Sequence, residues 1–452
     1  MRSINPATGE LLREYDEMGR DTVRRILAGA ADAFASWREA SFAERGLVMD
    51  RAAALLRDRR DEYARLMALE MGKPVAQGRA EVDKCAWVCG YYTEQAARFL
   101  APHNVPSDAS RSYVDFSPLG VVLAVMPWNY PFWQVFRFAA PALMAGNAAV
   151  LKHASNVSGC ALAIEALLLD AGAPAGLFST VLVGTEGVGE IIDAPEVKAV
   201  TLTGSTAAGR SVASRAGAAL KKTVLELGGS DPYLVLEDAD LEEATSACVT
   251  SRLLNAGQSC IAAKRFIVVQ AVAGRFEQLL VDGMRAVRVG DPLDEATEMG
   301  PLARPDLCEG LQAQVAESVR MGARLLLGGS APDASGSFYP PTVLAGVGPG
   351  MPAWDDELFG PVAALRTVAD EAEAIRAAND SAFGLGAAVF TRDIARGERV
   401  AAAMEAGICF VNSYVKSDPR LPFGGVKLSG YGRELGEFGI REFVNVKTIY
   451  VK

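Results

Sequence analysis

The chain has 452 residues, 50% of them hydrophobic and 22% charged, the composition of a soluble globular protein too long for a single core, so two or three domains are expected. Its 45 basic and 55 acidic residues leave a net charge of −10, which argues against nucleic acid or an anionic membrane as a partner but leaves room for local basic pockets that hold small anions. Two histidines, His103 and His153, and seven cysteines without a paired framework disfavour Ser-His-Asp, His-metal and disulfide chemistry, and no metal site is expected.

The first residues, Met1-Arg2-Ser3-Ile4-Asn5-Pro6, carry no signal-peptide pattern, and no apolar run reaches the roughly 18 residues of a membrane span, so a cytoplasmic protein is expected. Residues 21–100 show helical spacing, with Val23, Ile26, Leu27 and Ala30, then Leu47, Ala54, Leu55 and Leu66, among charges. Gly72-Lys73-Pro74 closes one of these helices, and residues 102–107 read as a loop. From Gly120 the pattern becomes short β-branched runs between helical stretches. Strands are expected over 121–125, 148–152, 180–183, 199–203 and 223–227, which together imply an α/β, doubly wound parallel sheet. Runs at 233–236, 266–269, 387–391 and 408–411 point to a second α/β domain. Residues 443–450 alternate like an exposed edge strand, which suggests that the chain oligomerises.

Several residues at these strand ends could carry chemistry. Asn129, in Met126-Pro127-Trp128-Asn129-Tyr130-Pro131, could donate to an oxyanion or cap the following helix. Lys152 ends a strand on the side where open α/β sheets bind ligands, or it is a solvated lysine starting a loop. Gly204-Ser205-Thr206-Ala207-Ala208-Gly209 feeds a helix expected near Arg210; such a turn can hold a phosphate, or its glycines can be there for steric reasons. Glu226 precedes Gly228-Gly229, and Cys260 lies in Asn255-Ala256-Gly257-Gln258-Ser259-Cys260. A thiol on a glycine-containing turn and a carboxylate beside two glycines could attack a carbonyl and then activate water against the thioester. Taken singly, Cys260 could be an inert buried thiol and Glu226 a surface carboxylate. Five such features at strand ends of one chain favour a site.

These residues resemble the NAD(P)-dependent aldehyde dehydrogenase superfamily over essentially the whole chain. The likeness rests on Pro127-Trp128-Asn129, Lys152, Gly204-Ser205-Thr206 with Gly209, Glu226-Leu227-Gly228-Gly229 and Gly257-Gln258-Ser259-Cys260. It extends to Glu357-Leu358-Phe359-Gly360-Pro361 and to Phe423-Gly424-Gly425-Val426-Lys427-Leu428-Ser429-Gly430. The resemblance implies a Rossmann-like cofactor domain over 1–102 and 119–227 and a catalytic domain over 228–420. It also implies a small β bridging element over 103–118 and 437–452, a return segment over 421–436, and a homodimer or homotetramer. It implies Cys260 as nucleophile, Asn129 with the Cys260 N–H as oxyanion hole and Glu226 as activator of the deacylating water. Lys152 and Glu357 would hold the two riboses and Gly204, Ser205 and Gly209 the pyrophosphate, with Met126, Trp128, Leu227 and Phe359 as further cofactor contacts.

Within the superfamily the chain is most similar to short-form bacterial succinate-semialdehyde dehydrogenases, in Trp128–Gln134, Leu151–Asn156 and Glu226–Pro232. That likeness implies an aldehyde substrate whose distal carboxylate meets Arg137, with Ser417, Trp133 and Phe423 nearby. The bland alternative for Arg137 is a helix arginine paired with an acidic neighbour. Ser155, where relatives favouring NAD often carry glutamate, implies NADP as the preferred cofactor with NAD also used. Three departures stand out: Ser230 replaces a common lysine, Ile261-Ala262 follow Cys260 where some relatives have a second cysteine, and Leu254 replaces an arginine that some relatives set beside the Arg137 equivalent. The alternatives are a broader ω-carboxyl or aliphatic aldehyde dehydrogenase and a catalytically silent structural protein, the latter disfavoured because Cys260 and Glu226 are both present.

Overall fold

The computed structural model describes residues 1–332 and 335–452. It opens with an antiparallel ribbon, β1 (Arg2–Ile4) and β2 (Leu11–Glu14), and four helices, α1 (Arg20–Trp37), α2 (Phe42–Asp58), α3 (Arg60–Met71) and α4 (Val75–Phe99). α2 starts in a capping box, Ser41 accepting from the Glu44 N–H while the Glu44 carboxylate accepts from the Ser41 N–H. α3 stops at Gly72, whose left-handed backbone (φ 79°) and approach to the Pro301 ring leave no room for a Cβ. α4 buries Val82, Cys85, Ala86, Val88, Cys89 and Tyr92. All seven cysteines are free.

Next come β3 (His103–Asn104) and β4 (Arg111–Pro118). The stretch expected as loop over 102–107 thus contains a short strand, because His103 and Asn104 pair with Val114 and Tyr113. Then follow β5 (Val121–Met126), α5 (Trp133–Met144), β6 (Ala148–His153), α6 (Ser158–Asp170), β7 (Phe178–Thr180), α7 (Thr185–Asp193), β8 (Val197–Thr203), α8 (Thr206–Ala218) and β9 (Lys222–Glu226). β7 lies earlier than the expected 180–183. It pairs with Ala149–Leu151 and then leaves the sheet, while Val181, Leu182 and Val183 stay buried in the connection and so mimic a strand in sequence. α8 starts four residues before Arg210, since Ser205 caps it by accepting from the Ala208 N–H.

The second unit contains β10 (Asp231–Val235), α9 (Leu241–Leu253), β11 (Ala263–Val269), α10 (Gln270–Arg285), α11 (Pro305–Arg320), β12 (Arg324–Leu327), β13 (Thr342–Ala345), α12 (Pro352–Asp355) and β14 (Val362–Val368). It continues with α13 (Glu371–Asn379), β15 (Phe383–Gly384), β16 (Gly386–Phe390), α14 (Ile394–Ala403) and β17 (Ile408–Val411). The chain then returns through β18 (Val426–Lys427), β19 (Gly430–Tyr431), α15 (Gly436–Ile440) and β20 (Val444–Val451).

Two α/β sheets, each with its own hydrophobic core, organise these elements. The first has the order β19-β9-β8-β5-β6-β7, and its five strands from β5 to β9 are parallel. β5 sits between β8 and β6, so the chain reverses direction of winding there, and the segments after β5, β6 and β8 leave the same carboxyl edge. The second sheet has the order β12-β13-β14-β11-β10-β16-β17, parallel except for β12. Here β12, β13 and β14 were not anticipated. The return segment locks the two units together, Gly430 of β19 pairing with Glu226 of β9 while β18 pairs with β15. β20 pairs along its length with β4, and its other edge is open, with Val446 and Tyr450 exposed. No helix among the described residues is long and apolar enough to cross a membrane.

Candidate active site

Cys260 is aimed by an unusual backbone. After α9 the chain runs through Asn255, Ala256 and Gly257 in the left-handed region (φ 56°, 53° and 73°). Asparagine and glycine adopt this readily, whereas alanine does so at a cost of roughly 1–2 kcal/mol. At Gly257 a Cβ would lie 2.4 Å from the Gly360 carbonyl, so only glycine fits there. The loop is pinned on all sides: Asn255 N–H donates to Gln77, Arg252 to the Gly257 carbonyl, and the Ala303 N–H to Gln258 Oε1. Lys264 Nζ donates to the carbonyls of Ser259 (3.0 Å) and Cys260 (2.8 Å) from behind. Burial pushes the Cys260 thiol up to about 12, and the charges of Arg137 and Lys264 offset only part of that. Desolvation of this half-buried side chain thus favours the thiol over the thiolate.

Asn129 lies beside this loop, with Nδ2 donating to the Gln258 carbonyl at 3.0 Å and Oδ1 buried without a partner. The helix-cap alternative for Asn129 does not hold. The Glu81 carboxylate caps α5 instead, accepting from the N–H groups of Phe132 and Trp133 at 2.9 Å each. Glu81 also forms a buried ion pair with Lys73, and Lys73 Nζ donates to the Asn129 carbonyl at 2.9 Å. Asn255 Nδ2 reaches the same carbonyl at 2.8 Å. The Asn129 main chain is thus tied both to α4 and to the cysteine loop.

Glu226 ends β9, fully buried, and neither carboxyl oxygen has a partner. Burial, then the neighbouring Glu434, raise its pKa well above the usual carboxylate range, and Arg137 and Arg433 pull it back only in part. Glu434 is raised by burial too, but it is ion-paired with Arg137. The Arg137 ion pair favours the negative charge on Glu434, and Glu226, with no such partner, is the carboxyl whose protonated form burial favours more.

A cavity of about 350 Å³ brings Cys260 together with four of the residues expected around substrate: Arg137, Trp133, Ser417 and Phe423. Glu226 and Asn129 lie outside its wall, although Glu226, when ionised, is close enough to raise the Cys260 thiol slightly. Arg137 has the ion-pair partner of the bland reading and also faces the cavity. Its Nε meets Glu434, Nη2 donates to Thr203 at 3.3 Å, and the guanidinium lies 4.6 Å from the Phe423 ring centre. Leu254 lines the cavity where some relatives carry arginine.

The expected cofactor residues gather at the carboxyl edge of the first sheet and on the loop facing it. Met126 and Lys152 sit at the ends of adjacent strands β5 and β6, with Gly204 and Ser205 between β8 and α8. A Cβ on Gly209 would lie 2.6 Å from the Leu227 side chain, so this glycine lets α8 close onto the sheet. Trp128 meets Phe359 edge to face at 5.7 Å, and Glu357 accepts from the Gly229 N–H at 2.9 Å, 3.7 Å from Lys264. Lys152 is half-buried and in no salt bridge among the described residues; burial lowers its pKa, opposed by Glu17. Ser155 is exposed three residues on. A lysine, a helix amino terminus and a closely packed glycine along the same carboxyl edge fit a phosphate-bearing dinucleotide. His153 bonds the Pro131 carbonyl and is held down to about 4 by burial, which keeps it neutral.

Lys84, Glu81, Lys73, Gln258, Lys264 and Glu434 escaped the sequence reading. One signal existed: Gln77, Glu81 and Lys84 follow helical spacing on a face of α4 that is otherwise apolar. Glu81→Ala is expected to destabilise the fold by about 3–5 kcal/mol, because it strands Lys73 in the core and uncaps α5. Urea unfolding of wild type and variant measures the difference, and a loss below about 1 kcal/mol would contradict this role.

The aldehyde dehydrogenase family model matches residues 1–449. A probable NADP(+) succinate-semialdehyde dehydrogenase of Synechocystis sp. is 51% identical over 449 residues, covering 99% of both chains. The NAD(P)+ succinate semialdehyde dehydrogenase of Escherichia coli is 46% identical over 448 residues, covering 99% of this chain and 97% of the other. The crystal structure of succinic semialdehyde dehydrogenase from Streptococcus pyogenes with NADP+ superposes with a TM-score of 0.98 at 40% identity, covering 100% of this chain and 99% of that one.

Proposed function

The chain belongs to the aldehyde dehydrogenase family, and from that premise we propose that it oxidises succinate semialdehyde to succinate with NADP as preferred cofactor and NAD as a second one. The observation that carries this reading is the single cavity in which Cys260 faces cationic groups able to hold a distal carboxylate. Cys260 is the nucleophile; its thiol, favoured by burial, passes its proton to bulk water, and the resulting thiolate makes the attack. Thiolate addition to the aldehyde carbon creates an oxyanion. Asn129 Nδ2 stabilises it together with the Cys260 N–H, a donor worth about 3 kcal/mol in such sites. A nicotinamide held by the cofactor residues named below would supply the hydride acceptor needed to take the Cys260 thiohemiacetal to a thioester. Glu226, once it has given up its proton, takes one from water, which adds to the thioester and releases the carboxylic acid and the Cys260 thiolate.

Lys152, Ser155, Glu357, Gly204, Ser205 and Gly209 hold the cofactor, with Met126, Trp128, Leu227 and Phe359 shaping its walls. We assign residues 1–102 and 119–227 to the cofactor unit, 228–420 to the catalytic unit and 421–436 to the return segment. Residues 103–118 and 437–452 form the bridging element, and the open edge of β20 supports a homodimer or homotetramer. The experiment is steady-state spectrophotometry with succinate semialdehyde and butanal, each with NADP and NAD. The reading requires a kcat/KM preference for succinate semialdehyde, and equal values for the two aldehydes would move it to a broader aliphatic aldehyde dehydrogenase.

The cofactor preference is separately testable. A glutamate at position 155 would set a carboxylate against a 2′-phosphate and accept from a free ribose hydroxyl. Ser155→Glu is therefore expected to lower kcat/KM for NADP by at least tenfold relative to NAD. If wild type already favours NAD by tenfold, Ser155 does not set the choice.

A further inference from the structure

We propose that Lys84, rather than Arg137, is the principal cation for the substrate's distal carboxylate, with the Ser417 hydroxyl as its partner. This rests on the reading of the cavity as the succinate semialdehyde site and deepens it. Lys84 projects from α4 into the same cavity as Cys260, and its Nζ donates to Ser417 Oγ at 2.7 Å. It lies 4.4 Å from the Trp133 ring centre, a contact that suits an ammonium but leaves its charge unneutralised. Lys84 is in no salt bridge among the described residues. Arg137 is different: its Nε is committed to Glu434 and its Nη2 to Thr203, and only Nη1 is turned to neither.

The electrostatics point the same way. Burial and then repulsion from Arg137 lower the Lys84 ammonium to about 8, while Asp418 and, on its own helix, Cys85 and Glu81 oppose this weakly. Two cations that repel one another across a cavity gain when an anion enters between them. A carboxylate placed there converts an unfavourable pair into a clasp of Lys84 Nζ, Ser417 Oγ and Arg137 Nη1. That clasp also accounts for Leu254, since a lysine from α4 supplies the second cation that some relatives take from an arginine at position 254. Lys416 lines the cavity too, but it is exposed and its ammonium lies 5.8 Å from the Tyr414 ring centre.

The test is steady-state kinetics of the full-length enzyme with Lys84→Met, Lys84→Arg and Lys416→Met. Lys84→Met is expected to raise KM for succinate semialdehyde by about ten- to a hundredfold, the range for losing one charge-assisted hydrogen bond, and to change its kcat far less. Its preference for succinate semialdehyde over butanal should collapse, and Lys84→Arg should restore part of it. In wild type, KM for succinate semialdehyde should climb above about pH 8 as Lys84 loses its proton, while KM for butanal should not. Equal KM changes for both aldehydes in Lys84→Met, or a loss of preference in Lys416→Met instead, would overturn the proposal. Wild-type preference for succinate semialdehyde would meanwhile keep the proposed function intact. If Lys84→Met does not fold, Lys84→Arg and the wild-type pH profile still decide.

Discussion

Cys260→Ala is expected to lose dehydrogenase activity to background, whereas Glu226→Gln should release one equivalent of reduced cofactor in a burst and then turn over slowly. The difference follows from where each group sits. Cys260 is on the cavity wall, and in the proposed chemistry it forms the covalent bond, a role no other side chain could fill. Glu226 is fully buried, with both carboxyl oxygens unpartnered among the described residues, and in the proposed chemistry it acts only after the hydride has left. Its pKa is raised, so the base form grows as pH rises, and kcat in wild type should climb through an inflection above the usual carboxylate range. That limb should vanish in Glu226→Gln. Rapid steady-state turnover by the glutamine variant would remove Glu226 from the deacylation step.

Arg137→Leu should damage two things at once. One is the clasp on the distal carboxylate, and KM for succinate semialdehyde should rise by about tenfold, for a lost interaction near 1.5 kcal/mol with Lys84 still present. The other is Glu226. Arg137 offsets part of the Glu226 shift and pairs with Glu434, so its loss leaves two buried carboxyls with less positive charge. Glu226 is then driven higher still and holds its proton more tightly. At neutral pH kcat should fall for butanal as well, and should recover as pH rises, the inflection lying higher than in wild type. A pH profile of kcat with butanal measures this. An unchanged inflection would show that Arg137 does not tune Glu226.

The fold and site were legible to different depths. The β-branched runs between helices announced both sheets because a parallel strand buried on two faces writes itself as a short apolar run. The same logic misplaced β7, since Val181, Leu182 and Val183 are equally apolar in a buried connection. Cys260, Glu226 and Asn129 stood out in sequence because glycines flank the first two and prolines and aromatics the third, patterns with little purpose in a core. The left-handed stretch at Asn255 and Ala256 was not, because only the glycine after it announces such a backbone. Lys84, Glu81 and Lys73 were hidden among the ordinary charges of a helical region, and only the packing of α4 against α5 turns them inward. Both readings of Arg137, carboxylate ligand or paired helix arginine, were open in sequence, but the partner Glu434 was not legible because it lies 297 residues away, brought close by the return segment that pairs β19 with β9.

The most direct measurement is intact-mass analysis of Glu226→Gln after mixing with succinate semialdehyde and NADP. A single succinyl group should accumulate on the chain, map to the peptide containing Cys260, and be absent from Cys260→Ala. Slow turnover of Glu226→Gln without any such adduct, or an adduct on another residue, would contradict covalent catalysis by Cys260.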